Sequence, residues 1–111
     1  MESKSEELIK RIQFTVAPWD ENITGKRMFG GYCFLYLGKM CIGENKERLM
    51  VRVIGEKMGD VLKMDYVKPM DFTGKTLKEF IFVSEKGFDT EEKLQYFVEL
   101  GIEHAISKSK K

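Results

Sequence analysis

An α+β fold, two layers deep with an antiparallel sheet and flanking helices, is what this sequence predicts, and three stretches carry that expectation. Tyr32-Cys33-Phe34-Leu35-Tyr36-Leu37 is the most strand-prone run of the chain, and Arg48-Leu49-Met50-Val51-Arg52-Val53 alternates cleanly. Leu94, Phe97, Val98, Gly101, Ile102 and Ala105 make a single apolar stripe at helical spacing. The element order expected is α-β-β-β-α-β-β-α, in one domain over residues 1–111.

The first helix is expected from about Ser5 to Val16: Ser3 and Glu6 have capping-box spacing, and Leu8, Ile9, Ile12 and Val16 follow with helical period. Pro18 stops it, and Trp19 folds back as an aromatic plug on the core. Ile23 to Phe29 is strand-like and leads into Gly30-Gly31, two glycines inside an apolar run. Glycine there marks a bulge, a bend or a turn, because it permits close backbone approach and positive φ. A bulge keeps one long strand and gives three strands before the second helix; a hairpin turn gives one more. One of the two glycines is expected to hold a conformation disfavoured for other residues.

The run from Tyr32 to Leu37 is apolar on both faces, so both faces need a cover: helices on one, and a loop, a second layer or another subunit on the other. Gly38-Lys39 is expected as a tight hairpin into Met40-Cys41-Ile42-Gly43, which leaves Cys33 and Cys41 unable to bridge: on opposite faces of the ribbon with a two-residue loop, about 13 Å apart with three. Glu44 to Glu47 is a polar turn. In the next strand Leu49, Val51 and Val53 face the core, while Arg48, Met50 and Arg52 share the other face. A short helix spans Gly55 to Met64, Pro69 suits an edge strand, and Met70-Asp71-Phe72 and Glu79 to Val83 are strands around Thr73-Gly74-Lys75. The last helix starts at Asp89 and Glu92, and Gly101 in its stripe implies a close crossing over the sheet.

Lys plus Arg number 19 against 18 Asp plus Glu, for a net charge of +1, so no whole-molecule field draws in nucleic acid. The charged N-terminus is no secretory signal, and no apolar run approaches the ~20 residues of a membrane span. Two cysteines without an export signal indicate reduced thiols and a cytoplasmic protein. His104 is the sole histidine, expected as a partly exposed residue without a role, and no Ser, Cys or Thr has a recognisable base and orienter. CxxC and phosphate-loop spacings are missing, so neither metal nor cofactor is expected. The basic residues Lys26, Arg27, Arg48, Arg52, Lys68, Lys75 and Lys78, interleaved with Tyr32, Phe34 or Tyr36, allow a nucleic-acid platform, although an ordinary solvated edge with core aromatics is the better account.

Four pieces in order carry a family resemblance: Lys26-Arg27-Met28-Phe29-Gly30-Gly31-Tyr32, the hairpin Gly38-Lys39-Met40, the strand Leu49-Met50-Val51-Arg52-Val53, and Met70-Asp71-Phe72-Thr73-Gly74-Lys75 before Leu77-Lys78-Glu79-Phe80. From about Ile23 to Ala105 the chain resembles the N-terminal domain of the TfoX/Sxy competence regulators. The resemblance implies the same two-layer α+β fold and a link to regulation of bacterial DNA-uptake genes. It makes Arg27, Met28, Phe29, Gly30 and Gly31 the family motif, supplies no catalytic residues, and implies a stand-alone N-terminal domain, since the full regulators carry a second, helical one. The function expected is a non-enzymatic regulatory or interaction module that binds a protein partner or itself as a homodimer. Its expected surface is Tyr32, Phe34, Tyr36, Arg48 and Arg52; direct binding of nucleic acid through the basic strand residues is the alternative.

Overall fold

The computed structural model describes residues 4–28, 31–72 and 75–109, and side chains for all of these except 20, 28, 70–72, 75–78, 108 and 109. A first helix, α1 (Lys4–Thr15), buries Leu8 and Ile12 and gives way to a 3-10 segment, Ala17–Asn22, at Pro18. Trp19 in that segment packs against the core as expected. Four antiparallel strands follow: β1 (Ile23–Met28), β2 (Gly31–Tyr36), β3 (Lys39–Asn45) and β4 (Arg48–Arg52). A short helix α2 (Gly55–Val61) leads to β5 (Val67–Phe72) and β6 (Lys75–Val83), and α3 (Glu91–Ser109) completes the chain. The six strands form one antiparallel sheet in the order β1-β2-β3-β4-β6-β5, with α1 and α3 packed on one face.

The element order therefore carries one strand more than the bulged-strand expectation. Met28 pairs with Gly31, so residues 29 and 30 connect two strands of a hairpin. Phe29 and Gly30 lie outside the described residues, as do Ser3 of the capping box and the turn residues Thr73 and Gly74. Gly31 does not take a left-handed conformation; among the described glycines only Gly38 does. The reason for glycine at 31 is space: a Cβ there would collide with the backbone carbonyl of Glu44 on β3.

The second hairpin turns one residue earlier than expected. Tyr36 pairs with Lys39, which puts Leu37 (φ 51°) and Gly38 (φ 82°) at the turn, and a bulge then shifts the register between Phe34 and Leu35. That bulge, by the register of the pairs either side of it, sends Cys41 to the helix side, where its thiol donates to the Phe34 carbonyl at 3.2 Å. Cys33 sits in a separate cluster on the opposite face, so both thiols are buried and no disulfide joins them, as the hairpin geometry requires. β5, carrying Pro69, is an edge strand as expected.

The main core lies between the helices and the sheet. Leu49 and Val51 of β4, and Val53 just beyond it, share a core with Leu94, Phe97, Val98 and Ile102 of α3, all at most 2% exposed. Gly101 lets α3 approach so closely that a Cβ would strike the carbonyl of Cys41. Arg11 ties α1 to the start of α3, donating from Nη2 to the Phe88 carbonyl at 2.7 Å and pairing with Glu91 at 3.1 Å.

His104 is corrected by the structure: it is 2% exposed, because it faces β6 from α3. Its Nε2 lies 3.1 Å from Glu79 Oε1, while Glu79 Oε2 accepts from the Gly55 amide at the start of α2 at 3.0 Å. Glu79 itself is left-handed (φ 62°), and its carbonyl accepts from Val53 at 3.0 Å. One kinked strand residue thereby fastens α2, α3 and the end of β4, and the histidine is a structural partner in the core.

Candidate functional site

Helices cover one face of the sheet, so function is best sought on the other. Strand alternation assigns its residues. Lys26, Cys33, Gly43, Met50, Phe82 and Lys68 form one row across all six strands, each paired in register with the next. Around that row Cys33, Met40, Met50 and Phe82 make a small buried cluster, with Leu35 and Phe80 packed on it.

Arginines close this face in place of a second layer. The Arg48 guanidinium stacks over the Phe82 ring at 3.6 Å, and that of Arg52 over Phe80 at 4.4 Å. Such stacking combines attraction to the ring face with burial of the aliphatic stem, and it holds a long side chain in one place. Arg48 Nη2 also donates to Asn45 Oδ1 at 3.3 Å. Burial pulls the Arg52 pKa below its ordinary value, with partial compensation from the charge of Glu79. The Nε atoms of both arginines are buried without an acceptor.

Lys4, Arg11, Lys57 and Lys93 lie within ion-pair distance of Glu85, Glu91, Glu103 and Asp89, on or beside the helices. Among the described residues Lys26, Arg48, Arg52 and Lys68 have no carboxylate within 4.0 Å. The open face is a basic strip over an aromatic floor. At its β4–β6–β5 end a groove of about 490 Å³ is lined by Arg48, Tyr66, Lys68, Pro69, Phe82 and Ser84.

The surface expected from sequence is divided by the fold. Arg48 and Arg52 are on the open face, whereas Phe34 is buried in the main core with Tyr32 and Tyr36 packed against it. Tyr32 and Phe34 pack with ring centroids 5.2 Å apart and planes tilted by 58°, and Arg27 lies 5.8 Å over Tyr32 on that same side. These aromatics are thus unavailable as a base-stacking platform beside Arg48 and Arg52. Of the motif residues, Arg27 and Gly31 are strand positions in the β1–β2 hairpin, Met28 is described only through its backbone, and the side chains of Lys75 and Lys78 are not described. Phe80 and Phe82 escaped attention in the sequence. Their signal was the alternation Phe80-Ile81-Phe82-Val83: once Ile81 and Val83 face the helices, the two phenylalanines face away.

Burial pushes the Cys33 thiol up to about 11, with help from the nearby Glu44 charge, and that of Cys41 up to about 12. Both are weak nucleophiles near neutral pH. Among the described residues no group of three His, Cys, Asp or Glu could hold a metal ion, and no helix is long and apolar enough to cross a membrane.

No curated protein matches the sequence. The family model for the TfoX N-terminal domain matches residues 15–105, most of the chain: the whole sheet, α2 and most of α3, while α1 lies before it except for its last residue. The chain belongs to the TfoX N-terminal domain family, a domain associated with competence regulators.

Proposed function

We propose that this chain is a non-enzymatic regulatory module that works by binding a protein partner, and that the open face of its sheet is the binding surface. The carrying observation is the four cations of that face, Lys26, Arg48, Arg52 and Lys68, which among the described residues have no carboxylate within 4.0 Å, whereas Lys4, Arg11, Lys57 and Lys93 on or beside the helices each have one. Membership of the TfoX N-terminal domain family supports a regulatory role, and two buried cysteines that form no disulfide fit the reducing bacterial cytoplasm. Competence is the pathway this family suggests.

A second copy of the chain is one candidate partner. The outer edge of β1, with Thr24 to Arg27 exposed and no proline, offers a strand for pairing, although Lys26 and Arg27 are residues that discourage edge-to-edge association. Direct binding of nucleic acid is the competing account for a basic strip.

Capture from native lysate on immobilised protein, with and without nuclease, separates these. The proposal expects a protein retained after nuclease treatment, and light scattering reports self-association. Retention that disappears with nuclease, together with duplex or single-strand binding that falls steeply with salt, would replace the proposal by nucleic-acid recognition.

A further inference from the structure

We infer that the groove at the β4–β6–β5 end of the open face takes an acidic segment of a partner protein, with a carboxylate between Arg48 and Lys68 and an apolar side chain against Pro69 and Tyr66. This deepens the proposed function and rests on it. Arg48 and Lys68 flank Phe82 on one face: Lys68 pairs with Phe82 in the β5–β6 register, and the Arg48 guanidinium stacks on its ring at 3.6 Å. Among the described residues no acidic one lines the groove. The adjoining depression shares Tyr66, Lys68 and Ser84 but adds Asp65, Glu85 and Lys86, so its charges balance; the Arg48 side has no such balance.

Three observations select the occupant. Stacking and the Asn45 contact fix the Arg48 guanidinium before binding, and among the described residues only its Nη2 donates a hydrogen bond. A fixed planar fork with spare donors matches a carboxylate. Pro69 removes a backbone donor from β5, an edge strand, so an added strand would pair poorly there and recognition falls to side chains on the face. Phe82 is 8% exposed with its face taken by Arg48, so no base can stack on it, and this disfavours nucleic acid.

A random-peptide display library, selected on the full chain and in parallel on Lys68→Glu, tests the inference. Lys68 is exposed, so the variant should fold, which circular dichroism verifies. The expected result is enrichment on the wild type of peptides that place Asp or Glu beside an apolar residue, with affinity reduced about tenfold or more by Lys68→Glu and by Arg48→Gln. Amide shifts in nitrogen-15 spectra should then centre on residues 66–69 and 82–84. No enrichment, equal enrichment on both proteins, peptides without acidic residues, shifts centred elsewhere, or the same shifts from a thymidine oligonucleotide would each overturn it. A lysate partner held equally by wild type and Lys68→Glu overturns the groove and leaves the proposed function standing. Failure of any protein to be retained removes the proposed function itself.

Discussion

The two faces of this sheet are buried by different means. On the helix side, aliphatic strand residues meet aliphatic and aromatic helix residues, and Gly101 brings α3 close over Cys41. On the other side, a thin cluster of Cys33, Met40, Met50 and Phe82 is roofed by the guanidinium groups of Arg48 and Arg52. A packed helix cannot be displaced without unfolding the domain. A stacked arginine can keep its place and still recruit a ligand, so the same residues can close the core and present charge.

Disturbing the helix side should produce the largest effect. Gly101→Ala gains about 1 kcal/mol of helix propensity yet forces α3 away from the Cys41 carbonyl, and we expect a net loss of about 2 kcal/mol or more in urea unfolding. An unchanged or raised midpoint would show that α3 is not seated as described. Met50→Ala should cost about 2–4 kcal/mol, because Met50 is fully buried beneath the arginine roof. A loss well under 1 kcal/mol would mean that this second cluster packs loosely.

The thiols sharpen the contrast through pH. In the unfolded chain a thiol has a pKa of 9.0, whereas Cys33 stands at about 11 and Cys41 at about 12 in the fold. The folded state holds these protons more tightly, so the contribution is complete below pH 9.0 and is lost as pH rises toward 11 to 12. Each thiol should steepen the loss by at most about 1.4 kcal/mol per pH unit in that window. Urea midpoints on either side of pH 9.0 should therefore converge for Cys41→Ala relative to wild type, and equal slopes in the two proteins would contradict the burial of Cys41.

The smallest effects belong to the turns. Lys46 (φ 51°) and Glu47 (φ 67°) are left-handed without being glycine, so Lys46→Asn with Glu47→Gly should raise stability by about 1 kcal/mol. Destabilisation instead would show that the left-handed backbone at these two residues is not what limits the stability of that turn.

How far the sequence discloses this molecule differs between the two faces as well. The split of residues 48–53 into Leu49, Val51 and Val53 inward and Arg48, Met50 and Arg52 outward follows from period-two alternation alone, and it holds. So does the stripe of α3, for the same kind of reason. His104 was read as partly exposed because it flanks that stripe; only the path of β6 and the kink at Glu79 bring a carboxylate to it. The turn at Leu37-Gly38 and the bulge after Phe34 are register choices made by tertiary packing. Tyr32, Phe34 and Tyr36 were grouped with the arginines by proximity in sequence, yet strand pairing sends them to the helix side. The groove combines residues from β4, β5 and β6, and non-local juxtaposition of that kind leaves no spacing to recognise.

The account stands on the claim that the helix face makes the fold and the arginine face makes the contact. Replacing Arg48 and Arg52 together by methionine keeps stems of similar reach over Phe80 and Phe82 while removing both charges. Lysate capture with that double variant, measured beside its urea midpoint, is the direct test. We predict stability within about 1 kcal/mol of wild type and loss of the captured partner. A partner retained by a folded double variant would contradict the claim.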